Sequence, residues 1–326
     1  MRILSGIQPS GDMHIGNYFG MMRPMINHQE SSDLFAFIAD YHAMTSVGDG
    51  EALRNHIFNA AVNFLALGLD PQKTTFWVQS DLPEVLELYW ILSSHTPMGL
   101  LERAHSYKDK VARGIHASHS LFSYPVLMAA DILLFGAQQV PVGKDQIQHL
   151  EMTRDIAIKF NNTYGEILTI PEAQVAEDVA VVPGIDGAKM SKSYSNTIDL
   201  FTYETEKALK KRVSQIVTDS TPLEDPKNPD TCNVFALAKL FLDPDEQAAL
   251  RARYLAGGEG YGHFKGELTT RIWNYFAPYR DKRAWLLEHP HDVYDILHFG
   301  AQKAKQAAHP LIEQVRHVTG LAYRRS

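Results

Sequence analysis

The chain has 326 residues, of which 45% are hydrophobic and 21% are charged, so global disorder is excluded and one large plus one smaller domain are expected. The formal net charge of −7 excludes a simple basic nucleic-acid coat protein, although a local basic face would still suffice to meet RNA. A single cysteine, Cys232, excludes an intrachain disulfide and a metal site built from cysteines, and it fits a reducing compartment.

No secretory or membrane segment is predicted. No charged stretch near Met1 leads into a long apolar run, as it would in a signal peptide. No window approaches the roughly 18 uninterrupted apolar residues that a membrane-spanning helix needs. We therefore expect a cytoplasmic chain with no membrane partner.

Strand-like and helix-like segments alternate along the first half of the chain. Strands are predicted over residues 2–8, 34–39, 74–79 and 139–142, because these short runs are apolar or rich in β-branched and aromatic residues. Helices are predicted from residue 15, with Pro24 interrupting the first one, and over 51–67, 82–94, 123–135 and 145–161. Residues 162–187 have loop composition. The alternation predicts an α/β fold with a Rossmann-like, doubly wound parallel sheet.

The second half is predicted to be helical. Helical patterns cover residues 204–216, 233–242, 245–255, 262–287 and 291–318, and no convincing strand follows residue 203. We predict a Rossmann-fold domain over 1–200 with a mainly helical insertion around 97–135, then a helical domain over 201–290. A C-terminal helix over 291–326 is expected to pack back on the first domain.

A histidine motif lies between the first predicted strand and the first helix, in the string Pro9-Ser-Gly-Asp-Met-His14-Ile-Gly16-Asn17. Ligands bind at the carboxyl edge of a parallel sheet, where small residues admit a nucleotide and the N–H groups of the next helix point at anions. His14 and Asn17 can donate hydrogen bonds to phosphate oxygens. An ordinary turn with a surface histidine would give the same short pattern.

A lysine motif, Lys189-Met-Ser-Lys192-Ser193, lies far downstream in a stretch rich in glycine and proline. Two ammonium groups on flexible stems can follow the negative charge that develops on a departing pyrophosphate. A solvated basic loop is the usual explanation for two lysines, but the methionine after the first lysine makes this string specific.

The two motifs together resemble the signature pair of the class I aminoacyl-tRNA synthetases. The family's first motif has the form His-Ile-Gly-His, and Asn17 here replaces its last histidine and keeps a hydrogen-bond donor. The second motif matches Lys-Met-Ser-Lys-Ser in full.

Further strings, in order along nearly the whole chain, resemble the tryptophanyl-tRNA synthetases within that family. They are Ser5-Gly-Ile-Gln8, Asp40-Tyr-His42-Ala-Met-Thr45, Leu127-Met-Ala-Ala-Asp131, Val140-Pro-Val142-Gly-Lys-Asp145-Gln146, Pro183-Gly-Ile-Asp-Gly187, Val217-Thr-Asp-Ser220 and Tyr261-Gly-His-Phe-Lys265.

The resemblance implies a tryptophan-binding site. Asp131 would accept a hydrogen bond from the indole N–H, and Gln146 would reach the amino group of the substrate. The other implied pocket residues are Leu4, Gly6, His42, Tyr124, Met128, Val140 and Val142. Without the resemblance, the apolar residues of this set would be assigned to the core, and Asp131 to an internal polar pair.

The resemblance also implies a site for ATP with Mg²⁺. The implied catalytic residues are Gln8 beside the reacting carboxylate and α-phosphate, and Lys110, Lys189 and Lys192 on the triphosphate. The full ATP-binding set is Gln8, Pro9, Ser10, His14, Gly16, Asn17, Gly143, Lys144, Asp145, Lys189, Met190, Ser191, Lys192 and Ser193. No residue is assigned as a protein metal ligand, because neither a cysteine-rich nor a His-Glu-x-x-His pattern occurs.

The reaction implied is activation of L-tryptophan by ATP, followed by transfer to tRNA(Trp). The resemblance further implies that the helical domain binds the anticodon, with Lys210-Lys-Arg212 as its densest basic run, and that the chain forms a homodimer. Three alternatives stay open at this point: a tyrosyl-tRNA synthetase, since an acid would equally hold a phenolic hydroxyl; another nucleotidyltransferase with a His-Ile-Gly motif; and a catalytically silent RNA-binding paralogue.

Overall fold

The computed structural model describes residues 1–9, 11–104, 107–108, 118–143, 146–175 and 182–323. The chain divides into two compact units, each built from separate segments. The first unit comprises Met1–Gly11, Asn27–Glu177 and Leu286–Ser326, and the second comprises Asp12–Ile26 and Asp178–Trp285. In these described parts, no helix combines the length and apolarity needed to cross a membrane.

A five-stranded parallel sheet forms the centre of the first unit. Its strands run in the order β3-β2-β1-β4-β5, with β1 in the middle. The strands are β1 (Arg2–Ile7), β2 (Asp33–Ile38), β3 (Thr74–Val78), β4 (Gln139–Val142) and β5 (Glu172–Val175). The predicted doubly wound α/β fold is confirmed, and its strand order reverses at β1, where such sheets bind ligands.

The α-helices that the structure describes are numbered α1 to α14 in chain order. The short helices α1 (Ile15–Asn17), α2 (Arg23–Asn27) and α3 (Asp40–Ala43) precede α4 (Gly50–Ala66) and α5 (Glu84–Ser93). Next come α6 (Met98–Glu102), α7 (His119–Leu134), α8 (Ile147–Tyr164), α9 (Glu206–Val213) and α10 (Asn233–Ala238). The last four are α11 (Pro244–Ala256), α12 (Tyr261–Tyr275), α13 (Ala277–Glu288) and α14 (Pro290–Val318).

The fifth strand corrects the prediction of a loop over residues 162–187. Strand β5 is only four residues long and contains Glu172 and Gln174, so it lacks the apolar run that marks a buried strand. It forms because β4 offers a parallel partner along its full length, from Gln139 opposite Glu172 to Val142 opposite Val175. Tertiary pairing, rather than local propensity, decides this strand.

Helical boundaries differ from the prediction at two prolines. The single helix predicted over 262–287 is divided into α12 and α13 at Phe276, because Pro278 has no N–H to continue the helical ladder and instead occupies the first turn of α13. Near the N-terminus, a π-helical turn over Tyr18–Met22 joins α1 to α2, and Pro24 lies in the first turn of α2.

The long helix α14 packs directly across β3 in the first unit. A Cβ atom placed on Gly300 would lie 1.7 Å from the carbonyl oxygen of Phe76, a distance that no side chain tolerates. The absence of a side chain at this position therefore lets the helix touch the backbone of the strand. Arg316 of the same helix pairs with Glu87 of α5.

Candidate active site

In the second unit, the histidine motif starts α1 with a reciprocal cap. The Nδ1 atom of His14 accepts a hydrogen bond from the backbone N–H of Asn17 at 3.2 Å, and Asn17 Oδ1 accepts one from the backbone N–H of His14 at 3.2 Å. Both acceptor atoms are used in the cap. The groups left to donate to a ligand are His14 Nε2–H and the Asn17 amide.

His14 is neutral at pH 7. The side chain is buried, and this burial together with the nearby Lys192 charge lowers its pKa to about 4, although Asp199 opposes the shift. The sequence predicted a hydrogen-bond donor to phosphate. The structure supports such a donor only as a neutral imidazole and not as a cation.

The histidine and lysine motifs are neighbours in the second unit, although more than 170 residues separate them in the sequence. The backbone N–H of Ile15 donates to Ile198 O at 2.9 Å, and the Gly16 N–H points at Met190 Sδ at 3.4 Å. A Cβ atom on Gly16 would approach Met190 Cβ to 3.2 Å and His14 Nδ1 to 3.0 Å. Glycine at this position therefore permits the close packing of the two motifs.

The lysine motif is organised by Asn196, a residue that the sequence reasoning did not select. Its side-chain oxygen accepts from the Ser191 N–H at 2.8 Å, and its amide donates to Asp186 Oδ1 at 2.8 Å and to Lys189 O at 3.1 Å. Gly184 makes room for it, since a Cβ there would lie 2.3 Å from Asn196 Nδ2. The one feature of the sequence that pointed to this arrangement was Gly184, which lies shortly before the motif.

The two lysines of the motif have different surroundings. Lys189 is exposed, whereas desolvation lowers the pKa of the Lys192 ammonium, an effect opposed by Asp12 and Asp199. Met190 is buried, and Ser193 is exposed. The two lysines of the motif are therefore exposed, whereas the Met190 side chain between them is packed in the interior.

In the first unit, the segments after the carboxyl ends of four parallel strands supply three polar residues and one glycine. Gln8 follows β1, His42 lies in α3 after β2, Gln79 follows β3, and Gly143 follows β4. The Gln8 amide donates to His42 O at 3.3 Å. Because the strands are parallel, these ends meet at one edge of the sheet.

Asp131 is a buried carboxylate in α7, with 2% of its surface exposed. His42 Nε2 donates to its Oδ2 at 2.9 Å, and Gln79 Nε2 donates to Oδ1 and Oδ2 at 2.7 and 2.9 Å. Burial raises the pKa of Asp131, while the bonds from His42 and Gln79 hold it down. Gln79 is the second residue that the sequence reasoning missed, since it was assigned only to the end of a strand.

Tyr124, His149 and Gln146 form a hydrogen-bonded row in the first unit. Tyr124 Oη and His149 Nε2 lie 2.6 Å apart, and His149 Nδ1 lies 3.2 Å from Gln146 Oε1. The Tyr124 ring also meets the His42 ring edge-on, with centroids 6.1 Å apart. Gln146 Oε1 is therefore engaged by the protein, which leaves the amide end of this side chain to face a ligand.

The predicted apolar pocket residues belong mostly to the core. Leu4, Val140 and Val142 are buried members of the main core cluster, and Met128 packs against it while partly buried. Gly6 is exposed, and a Cβ there would lie 2.4 Å from the ring of Phe37. Four further predicted residues, Ser10, Lys110, Lys144 and Asp145, lie outside the described residues.

Within the described ranges, one group of potential metal ligands lies in the second unit, at Glu259, His263 and Glu267. Arg253 donates to Glu259 at 2.5 Å and to Glu267 at 2.8 Å, so its guanidinium bridges the two carboxylates and offsets part of their negative charge. This arrangement is an ion-pair network on the surface of the helical unit.

Comparisons with known proteins identify the family of the chain. The family model described as tRNA synthetases class I (W and Y) matches residues 1–276. A tryptophan–tRNA ligase of Campylobacter jejuni is 62% identical over 98% of this chain and 100% of its own length, and one of Fusobacterium nucleatum is 53% identical over 98% of both.

A crystal structure of tryptophanyl-tRNA synthetase from Campylobacter jejuni, complexed with ADP and tryptophan, is also similar. It superimposes with a TM-score of 0.93 at 62% identity, covering 98% of this chain and 100% of that one. The chain therefore belongs to the class I tRNA synthetases that act with tryptophan (W) and tyrosine (Y).

Proposed function

We propose that the chain is a tryptophan–tRNA ligase, which activates L-tryptophan with ATP to tryptophanyl-adenylate and pyrophosphate and then esterifies tRNA(Trp). The observation that carries the proposal is the full-length similarity, at 62% identity, to a synthetase whose structure holds ADP and tryptophan. The tryptophan carboxylate is already ionised at pH 7, so activation needs alignment and charge stabilisation rather than a general base.

In the first unit, we propose that Asp131 accepts the indole N–H and that the row from Tyr124 to Gln146 positions the amino group of the substrate. Gln8 would lie beside the reacting carboxylate. A buried carboxylate with one acceptor position left for an N–H disfavours phenylalanine, since binding phenylalanine would leave that position without a donor. This supports selection of tryptophan without a separate editing step.

In the second unit, we propose that His14, Gly16, Asn17 and the lysine motif bind the phosphates of ATP. The packing of the histidine motif on Met190 supports this, because it brings neutral donors close to the Lys192 ammonium group. Mg²⁺ would arrive with the triphosphate and supply further charge neutralisation there, as this ion usually binds through substrate phosphates and few carboxylates. The residues outside the described ranges, Ser10, Lys110, Lys144 and Asp145, keep their implied roles in ATP binding as proposals.

We propose that residues 201–290 bind the anticodon of tRNA and that lysines of α9 contact its phosphates. Lys207, Lys210 and Lys211 are exposed and, among the described residues, have no ion-pair partner. By contrast, arginines elsewhere in the second unit are already paired: Arg251 with Asp230, and Arg271 with Glu246. Unpaired cations gain most from meeting a phosphate backbone.

We also propose a homodimer that works in the cytoplasm, where charged tRNA is used. An apolar patch on α5 and α6 of the first unit supports the dimer. It consists of Leu86, Trp90 and Met98, which are 39%, 75% and 62% exposed. Aromatic and methionine side chains are enriched in interfaces, and such a patch is costly to leave in water.

The experiment that tests the function is exchange of labelled pyrophosphate into ATP, with tryptophan and tyrosine in parallel reactions. Exchange with tryptophan alone is expected, followed by esterification of tRNA(Trp). Exchange with tyrosine alone would overturn the tryptophan assignment. No exchange with either amino acid, from folded protein with Mg²⁺, would overturn the enzymatic function.

A further inference from the structure

Gln79 is held at both ends of its side-chain amide. It follows β3 and is 1% exposed. Its Oε1 accepts from the backbone N–H of Tyr41 at 3.1 Å, and its Nε2 donates to both oxygens of Asp131. Since the carbonyl end faces a donor and the amide end faces a carboxylate, the side chain has one favourable orientation.

The segment that carries Gln79 is itself tied to the end of β2. Asp40 Oδ1 accepts from the N–H of Tyr41 at 3.0 Å and from the N–H of Ser80 at 3.1 Å. The ends of two neighbouring strands are thereby joined through partly buried hydrogen bonds. Gln79 is a rigid support for Asp131 because its own backbone is anchored in this way.

The hydrogen bonds to Asp131 leave room for one more donor. A carboxylate offers about four acceptor positions. His42 takes one position, and Gln79 takes two in the described structure. By this count, one acceptor position of Asp131 is not used by His42 or Gln79.

We propose that Gln79 is a positioning residue for tryptophan selection: its amide orients the Asp131 carboxylate, so that one acceptor position faces the indole N–H. This inference rests on the proposed function. Gln79 acts on the substrate only through Asp131 and makes no direct contact with the substrate. Its two charge-assisted bonds oppose the desolvation that would otherwise protonate or rotate the acid.

The positioning role of Gln79 can be measured through the pH dependence of tryptophan activation, because Gln79 affects the pKa of Asp131. Burial raises the pKa of Asp131, and the hydrogen bonds from Gln79 lower it. Removing these bonds raises the pKa of Asp131 further. The acid-side decline of tryptophan activation therefore moves to higher pH. A residue that served only the stability of the strand would leave this pH profile unchanged.

The first test replaces Gln79 by methionine, which keeps the approximate shape and removes both polar ends. Pyrophosphate exchange is measured with tryptophan and with the analogue in which a benzothiophene sulfur replaces the indole N–H. We expect kcat/KM for tryptophan to fall at least about tenfold, with KM for ATP little changed. The analogue makes no N–H bond, so its kcat/KM is expected to fall less.

The control variant is Thr74→Val, at the other end of the same strand. Thr74 is equally buried, and its hydroxyl donates to Gln29 Oε1 at 3.4 Å, away from Asp131. This variant loses a buried polar contact of β3. The ratio of kcat/KM for tryptophan to kcat/KM for the analogue should stay at its wild-type value. Thermal unfolding of all variants shows whether each one folds.

A second variant, Gln79→Glu, keeps the shape and reverses the expected pH dependence. A carboxylate placed beside Asp131 would share one proton with it, and the loss of that proton on raising the pH would force two like charges together. Q79E should therefore lose tryptophan activity as the pH rises, whereas Q79M should lose it on the acid side.

Equal losses with tryptophan and the analogue, together with wild-type pH profiles in Q79M and Q79E, would overturn the inference and leave Gln79 a structural residue. Failure of the function itself has a different signature. In that case the unmodified chain shows no exchange with tryptophan at all.

Discussion

At the scale of single residues, the proposed role of the buried Asp131 in binding tryptophan leads to a direct prediction. We predict that Asp131→Ala lowers kcat/KM for tryptophan by roughly 100-fold or more and leaves KM for ATP almost unchanged, because the indole N–H loses its only charged acceptor. Pyrophosphate exchange at varied tryptophan and varied ATP measures both quantities. Unchanged selection of tryptophan over phenylalanine in this variant would remove Asp131 from the site.

His14 predicts a pH dependence of stability. Its pKa in the folded chain, about 4, lies below its ordinary value of 6.5, so the unfolded chain binds the proton first as the pH falls. The free energy of unfolding should therefore decrease between pH 6.5 and about pH 4, by up to about 3 kcal/mol from this group.

The variant His14→Asn tests this prediction, because asparagine still caps a helix but does not titrate. Urea unfolding is measured between pH 7 and pH 4.5. The variant should lose less stability on acidification than the unmodified chain does. Identical slopes for the two proteins would show that His14 is not the group responsible.

At the scale of elements, the lysine motif depends on Asn196 for its shape. We predict that Asn196→Ala lowers kcat of tryptophan activation about tenfold or more, since a buried side chain with three hydrogen bonds is lost and the loop no longer holds its lysines in place. KM for tryptophan should be little changed. Exchange kinetics at saturating tryptophan measure the effect.

Asn161→Ala is the matched control for this loop. Asn161 also makes three hydrogen bonds to a loop backbone, with Ile167 and Leu168, but in the first unit and away from the motif. It should destabilise the fold without a comparable loss of kcat. Equal loss of kcat in both variants would assign the effect to stability.

Helix α9 is expected to contact RNA through its lysines. We predict that Lys210→Ala together with Lys211→Ala raises KM for tRNA about tenfold and lowers the salt dependence of binding by roughly two phosphate contacts. Pyrophosphate exchange should be unaffected. The control variant, Arg251→Ala with Arg271→Ala, removes the same amount of charge from residues that are already paired, so it should raise KM for tRNA less. A larger rise in the control than in the lysine variant would exclude the α9 lysines as the contact.

At the scale of the whole molecule, the exposed patch on α5 and α6 predicts self-association. We expect Trp90→Glu to shift the chain from dimer to monomer at micromolar concentration, because a charge would be buried in the interface. Light scattering after size-exclusion chromatography measures the mass. Tyr294→Glu is the control, since Tyr294 is 54% exposed on α14 and lies outside the patch; a monomeric unmodified chain would refute the dimer.

Local order in the sequence was sufficient for the fold class and for the family. The alternation of apolar strands with helices predicted the parallel sheet, and two short strings around His14 and Lys189 identified the synthetase family. These features depend on neighbouring residues and on the period of a helix or strand, which a single chain displays directly. Strand β5 was not predictable in this way, because it depends on its partner β4.

Tertiary structure alone decided which polar groups meet. Gln79 and Asp131 lie 52 residues apart, and the sheet edge and α7 bring them into contact. His14, predicted only as a hydrogen-bond donor to phosphate, becomes a buried helix cap whose pKa is lowered, in part by Lys192 of the lysine motif. Such contacts depend on the geometry of strands and helices that are distant in sequence, and burial then sets the charge of each group. The sequence by itself thus determined the architecture and the family, whereas the packed structure decided the partners and protonation of the residues in the site.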